Sequence, residues 1–176
     1  MKKAISLLLT CAILFGCTVF AGAEKIEAGT ATVSVVVDDD AETYELSIPA
    51  TEGVAIDAAA GTGTFTVSLE NVNLQWHTQL TVYMDAENGD ATGANLVNTT
   101  DASKKVHYTI TNNTMNGAKY SANNPEGFIV ADYSSTSSTN PRATCEIAID
   151  VDGKYPGPGT YTDTLTFSVE LQGQAS

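Results

Sequence analysis

The sequence predicts an all-β fold, an antiparallel β-sandwich of about eight strands. Apolar and polar residues alternate along several short segments, which is the period of a half-buried strand. Gly, Pro, Asn and Ser residues separate these segments at the spacing typical of a sandwich. Beyond the apolar N-terminal stretch, no segment of useful length has a helical period.

The clearest strand lies at the C-terminal end, at residues 159–171. It follows a break at residues 155–159, where two prolines and two glycines prevent a continuous strand or helix. Asp163 is the single polar residue on the parity that carries the apolar side chains, which are Tyr161, Leu165, Phe167, Val169 and Leu171. Thr, Ser and Glu occupy the other parity, so we expect one continuous strand with a buried face and a solvated face.

The remaining strands are expected in order along the chain. They are predicted at residues 30–37, 43–49, 64–69, 80–84, 106–110, 128–133 and 143–151. The first two are close enough to form a hairpin, and Asn88-Gly89 is the strongest signal for a tight turn. Residues 93–103 and 112–127 are predicted to be loops because they are rich in Asn, Gly, Thr and Ser.

The inward parities of these strands predict the core. Its members should include Val35, Leu46, Ile48, Phe65, Val67, Val82, Tyr108, Ile147, Ile149, Leu165, Phe167 and Val169.

Residues 1–23 are typical of an export signal, which leaves residues 24–176 as a single mature domain. Lys2 and Lys3 precede an apolar run, and small residues end at Ala23, so Glu24 is the expected mature N-terminus. The run is shorter than the ~20 residues of a spanning helix, and we expect no membrane span in the mature chain. Residues 14–17 also resemble a lipobox, so lipidation of Cys17 is the alternative to cleavage after Ala23. Both alternatives predict a location outside the cell or on its surface.

The mature chain would be strongly acidic. Loss of Lys2 and Lys3 leaves 6 Lys and Arg against 21 Asp and Glu, a formal charge of −15. A chain with no basic cluster is unsuited to nucleic acid. Cys145 would be the one cysteine left, and its place in a predicted strand indicates a buried small apolar residue rather than a reactive thiol.

Two acidic clusters are candidate calcium sites, because clustered carboxylates suit hard cations. One is Asp38, Asp39 and Asp40, and the other comprises Asp85, Glu87 and Asp90. Neither has the spacing of a known calcium loop, and a solvated turn is the alternative interpretation of residues 38–40. We expect no other cofactor.

Trp76, the single tryptophan, is the candidate ligand-binding residue. An exposed tryptophan with exposed tyrosines could stack on a sugar ring, whereas a buried one would cap the core. The sequence contains no nucleophile elbow, phosphate loop or His-Glu-x-x-His motif, and we do not expect an enzyme.

The closing segment 158–169, PGTYTDTLTFSV, resembles the last strand of several bacterial extracellular domains. It is similar to spore coat protein U-type and pilus-subunit-like domains, and to the closing strand of WxL cell-wall-binding domains. Residues 47–50 and 61–67 also resemble short secreted bacterial proteins. The resemblance implies an Ig-like or pilin-like sandwich with a structural or adhesive role, and it carries over no functional residue.

These observations predict a secreted or surface-located, non-catalytic component of a coat, fibre or cell surface. Its partners would be other surface proteins or copies of itself, bound through sheet edges, and residues 30–37 are the segment expected to mediate exchange. The alternative is a carbohydrate-binding module that uses Trp76 and exposed tyrosines to bind glycans.

Overall fold

The structure is a computed structural model that describes residues 6–14, 17–18, 30–36, 43–49, 54, 56–57, 60–75 and 78–173. Side chains are described for the residues of these ranges that lie between 43 and 172. Asp38, Asp39, Asp40, Trp76 and His77 therefore lie outside the described residues, and Cys17 is described by its backbone alone.

The described residues form thirteen strands. They are β1 (Ser6–Leu14), β2 (Cys17–Thr18), β3 (Thr30–Val36), β4 (Thr43–Pro49), β5 (Thr62–Asn73), β6 (Thr78–Ala86), β7 (Ala94–Asn98), β8 (Lys105–Asn112), β9 (Ala118–Lys119), β10 (Phe128–Ser134), β11 (Thr144–Val151), β12 (Thr160–Thr162) and β13 (Thr164–Gly173).

Two antiparallel sheets contain all of these strands. The four-stranded sheet has the order β1-β13-β6-β10. The nine-stranded sheet has the order β2-β12-β7-β8-β11-β5-β4-β3, with β9 paired to β8. The predicted all-β, antiparallel, sandwich-like class is confirmed, although the described residues contain more strands than the eight expected.

One buried cluster contains residues from both sheets. Every predicted core residue with a described side chain belongs to it, and only Val35 lies outside that description. Phe65 of β5 and Phe167 of β13 meet edge to face with their ring centroids 6.4 Å apart. This aromatic pair joins the two sheets directly.

The predicted β3–β4 hairpin is confirmed. Val33 is opposite Leu46 and Val35 is opposite Tyr44, so β3 follows the buried parity of β4. β3 ends at Val36 and forms the last strand of the nine-stranded sheet.

The prediction of one continuous strand at residues 159–171 is wrong. The chain leaves the nine-stranded sheet after Thr162 and enters the four-stranded sheet at Thr164. Asp163 lies between the two strands and is 2% exposed. The polar residue on the apolar parity therefore marks a change of sheet.

The prediction of a loop at residues 93–103 is also wrong in its first half, because β7 begins at Ala94. Ala94 and Leu96 are fully buried, while the alternate positions of the strand carry Asn95 and Val97. Asn88-Gly89 does lie in a turn, and this turn carries the chain from β6 in one sheet to β7 in the other.

Residues 112–127 contain the short strand β9 and several turns. Asn116 and Gly117 have φ values of 56° and 70°, in the left-handed region that Asn and Gly tolerate best. Tyr120 follows and is 2% exposed, with its ring edge to face against Phe128. The core thus holds this long connection in place.

We expect Phe167→Ala to lower the free energy of unfolding by about 3–5 kcal/mol, because it removes a buried ring that joins the sheets and leaves a cavity. Urea denaturation at neutral pH would measure the change. Thr166→Ser, on the opposite parity of the same strand, is the matched control and should stay within about 0.5 kcal/mol. A loss below 1 kcal/mol for Phe167→Ala would contradict this packing.

Candidate functional site

The N-terminal segment covers the edge of β13 in the structure. β1 pairs antiparallel with β13, with Ile13 opposite Leu165, Cys11 opposite Phe167 and Leu7 opposite Val169. These three β13 residues are between 0% and 6% exposed. β1 is thus the outermost strand of the four-stranded sheet, beside a strand that faces the core.

The same N-terminal stretch covers β12, which adjoins β13 in the chain. Cys17 pairs with Tyr161 and Thr18 pairs with Thr160. On its other side β12 pairs with β7, through Tyr161 and Asn98. Residues predicted to be removed on export therefore lie along one outer edge of each sheet.

Asp163, where the chain passes between these strands, accepts hydrogen bonds from three parts of the chain. The Tyr108 hydroxyl donates to Oδ2 at 2.7 Å. The backbone N–H and the side-chain amide of Asn88 donate to Oδ1 at 3.1 and 2.8 Å, and the Thr164 N–H donates to the same oxygen at 2.8 Å. The carboxyl group thus ties β8 and the turn after β6 to the point where the chain changes sheets.

Burial raises the pKa of Asp163 above its ordinary value of 3.8, and the four donors oppose this effect without cancelling it. The pKa of Tyr108 is also raised, first by burial and then by the adjacent negative charge of Asp163.

A second polar contact holds Tyr120 beneath the end of β6. Its hydroxyl donates to Asp85 Oδ1 at 2.5 Å and accepts from the Ala86 N–H at 3.2 Å. Burial and the hydrogen bond to Asp85 raise the pKa of Tyr120 to about 12. Asp85, one of the candidate calcium ligands, is therefore engaged with a tyrosine.

A cleft of about 410 Å³ lies between the outer face of the four-stranded sheet and the loop before β10. Tyr83, Ser168 and Glu170 line it from the sheet, and Asn124 and Glu126 line it from the loop. Burial, and then the Glu170 carboxylate, raise the pKa of Tyr83. The cleft thus combines a half-buried aromatic ring with carboxylate and amide groups.

The loop is fixed over Tyr83 by local contacts. The Asn124 side-chain amide donates to the Gly127 carbonyl at 2.6 Å, and the Glu126 N–H donates to Asn124 Oδ1 at 3.1 Å. Gly127 has a φ of 76°, and a Cβ there would lie 2.9 Å from the Tyr83 ring. Glycine is therefore required both for the turn and for the close approach to the ring.

The acidic residues predicted at the turn after β6 do not converge. Asp90 Oδ1 accepts from the N–H groups of Thr92 and Gly93 at 2.8 and 3.0 Å, which shapes its own loop. The Thr92 N–H is the main cause that lowers the pKa of Asp90 to about 2. Glu87 is exposed. Within the described ranges, no three His, Cys, Asp or Glu side chains are arranged to hold a metal ion.

The other candidate positions have separate outcomes. Cys145 is fully buried and its pKa is raised by burial, as expected of an apolar core position. The aspartates 38–40 and Trp76 lie outside the described residues, and their proposed roles stay predictions. Lipidation of Cys17 also stays a prediction.

Sequence reasoning missed the cleft and the role of Asp163. The cleft brings together β6, β13 and a loop that are far apart in sequence, so no local sequence motif indicates it. For Asp163 a signal was present, since a lone acid on an apolar parity requires a special environment.

Comparisons of the chain with protein-family models, with curated proteins and with solved structures found no match. The described part of the chain contains no helix with the length and apolar content of a membrane span.

We expect Asp163→Asn to lower the free energy of unfolding by about 2–3 kcal/mol at neutral pH, because an amide nitrogen would face hydrogen-bond donors in a buried site. Asp150→Asn, at an exposed position of β11, is the matched control and should change stability by less than about 0.5 kcal/mol.

The pH dependence gives the same variant a second readout. A raised pKa in the folded state means that titration of Asp163 favours folding below its ordinary pKa, and that this contribution is lost as the pH rises through the folded-state pKa. The stability of the native chain minus that of Asp163→Asn should therefore decrease between pH 4 and pH 7. Chemical denaturation across this range would measure it, and an increase would contradict the raised pKa.

Proposed function

We propose that the chain is an exported, non-catalytic component of a cell surface, coat or fibre, and that it contacts copies of itself or other surface proteins through sheet edges. The observation that carries the proposal is the position of β3. It ends the nine-stranded sheet and, among the described strands, pairs with β4 alone. Open edges of this kind accept strands from other chains.

The composition of β3 supports this role. Its sequence, TATVSVV, contains no charged residue, although the mature chain would have a formal charge of −15. Charged residues on an edge strand oppose association, and β3 has none. The signal-like N-terminus and the resemblance of residues 158–169 to closing strands of extracellular domains agree with an exported structural role.

A carbohydrate-binding module is the second candidate, favoured by the cleft at Tyr83. The half-exposed Tyr83 ring offers an apolar surface, and Glu126, Glu170 and Asn124 offer acceptors for sugar hydroxyl groups. Trp76 would belong to the same function if it is exposed.

We expect the protein purified from its native host to begin at Glu24 and to occur outside the cell in assemblies of high mass. Cell fractionation, intact-mass measurement and sedimentation of the extracellular fraction would test this. A monomer that remains in the cytosol with residues 1–23 attached would overturn the proposal. A mass that begins at Cys17 with acyl chains, together with a monomeric state, would favour the tethered binding module instead.

For the second candidate, we expect Tyr83→Ala to weaken glycan affinity about tenfold or more, while Tyr83→Phe retains most of it because the ring remains. Titration calorimetry with cell-wall polysaccharides would measure both variants. Acrylamide quenching of the single tryptophan would show whether Trp76 is exposed. A blue, poorly quenched emission would show that Trp76 is buried and does not belong to the site. Equal glycan affinities of the native protein, Tyr83→Ala and Tyr83→Phe would show that the cleft does not bind the glycan.

A further inference from the structure

We propose that removal of the N-terminal segment creates a binding site along β13, and that β3 of a second copy occupies it edge to edge. The proposal rests on the proposed function, because it assumes that residues 1–23 are removed on export. It goes further by naming the two edges that meet and the segment that keeps them apart before processing.

The acceptor edge is defined by what covers it in the structure. β1 occupies the outer edge of β13 from Thr164 to Glu170. Cleavage after Ala23 would remove β1 entirely, and the outward backbone N–H and C=O groups of β13 would lose their partners. Leu165, Phe167 and Val169, the buried apolar residues of this part of β13, would lose the residues paired with them at the same time. Both effects favour addition of a new strand.

The cut would also remove β2 from β12. Because β12 and β13 are consecutive, the vacated edges of the two sheets adjoin at Asp163. The vacated site therefore consists of the adjoining edges of β12 and β13, and β13 is the longer of the two.

β3 matches this edge in length and pattern. It has seven residues, with Ala31, Val33 and Val35 at alternate positions opposite the buried side chains of β4. β13 presents three buried apolar residues at the same spacing. In an antiparallel register with Val33 opposite Phe167, the apolar residues of β3 lie opposite the apolar residues of β13. A shift by one residue would place the apolar residues of β3 opposite the polar residues of β13.

The geometry requires a second copy. Within one chain, β3 lies at the far end of the nine-stranded sheet from β12, with five strands between them. β3 can keep its pairing with β4 and still offer its outer edge to β13 of another copy. Because the two contacting edges differ, each copy would have one donor and one acceptor, and the contact would repeat into an open chain.

Charge also selects β3 as the occupant. Two copies of formal charge −15 repel each other, so the first contact is best made by segments without charge. β3 has no ionisable side chain, and the part of β13 from Thr164 to Val169 has none either.

The test uses paired cysteines at positions that the proposed register brings together. Thr32 would lie opposite Ser168 of the next copy, so T32C/S168C in chain 24–176 should form intermolecular disulfides on mild oxidation and give a ladder on a non-reducing gel. T32C/S47C is the matched control, because Thr32 is opposite Ser47 within one chain. This pair should form an internal disulfide, and the locked chain should still assemble in sedimentation. Cys145 is buried and does not compete.

A second measurement tests the role of the N-terminal segment. The full chain with C11S, C17S and T32C/S168C, and with a protease site inserted between Ala23 and Glu24, should give no ladder while β1 covers β13. Cutting at the inserted site should produce the ladder. This second measurement starts from the full chain, which folds before it is cut. It therefore remains decisive if chain 24–176 does not fold on its own.

Each result decides the matter. A chain 24–176 that forms the T32C/S47C disulfide but gives no T32C/S168C ladder overturns the proposal, as does a ladder of equal strength before and after the cut. Assembly abolished by the internal disulfide would show strand exchange in place of edge addition. If the native protein forms high-mass assemblies but the T32C/S168C variant gives no ladder, the proposed function stands and only the β3–β13 contact is wrong. If the native protein is a cytosolic monomer, both the proposed function and this contact are wrong.

Discussion

The buried carboxyl group of Asp163 is the constraint on which the arrangement of the C-terminal strands depends. It lies where the chain passes from one sheet to the other, and its donors come from β8, from the turn after β6 and from Thr164. Transfer of a carboxylate out of water costs several kcal/mol, and hydrogen bonds to a charged group recover about 1.5–3 kcal/mol each. The four donors therefore make burial tolerable, and they converge on Asp163 at the point where the chain passes from β12 in one sheet to β13 in the other.

This constraint explains why the two outer edges adjoin. A continuous strand over residues 159–171 would belong to one sheet and would leave the Tyr108 hydroxyl and the Asn88 amide without their acceptor. The break at Asp163 instead gives each sheet a terminal portion of the same segment. The N-terminal residues then lie along both portions, β1 on β13 and β2 on β12.

The sequence predicted the interior of the fold better than its connections. Period-two patterns around Leu46, Phe65, Ile147 and Phe167 identified buried strands, because burial of one face imposes that pattern directly. β7 was missed because on its buried parity Ala94 is small and Asn98 is polar, so Leu96 is the one large apolar side chain there that signals the strand. The cleft at Tyr83 was not predictable from spacing, since its lining comes from segments that only the sheet topology brings together.

The position of β1 makes its pairing with β13 the step that separates a closed edge from an open one. The exposed edge strands of sandwiches are commonly protected by charged residues, by bulges or by a covering segment. Here the covering segment is the one that carries the signal-like sequence. While it remains, β13 is paired on both sides, with β1 and with β6, and its backbone is not available to another chain. Once it is lost, β13 becomes the outer strand of its sheet, and its residues from Thr164 to Val169 carry no charge and have the same apolar spacing as β3. A chain so acidic gains little from non-specific contact with its own copies, and contact through these two edges would confine association to one register.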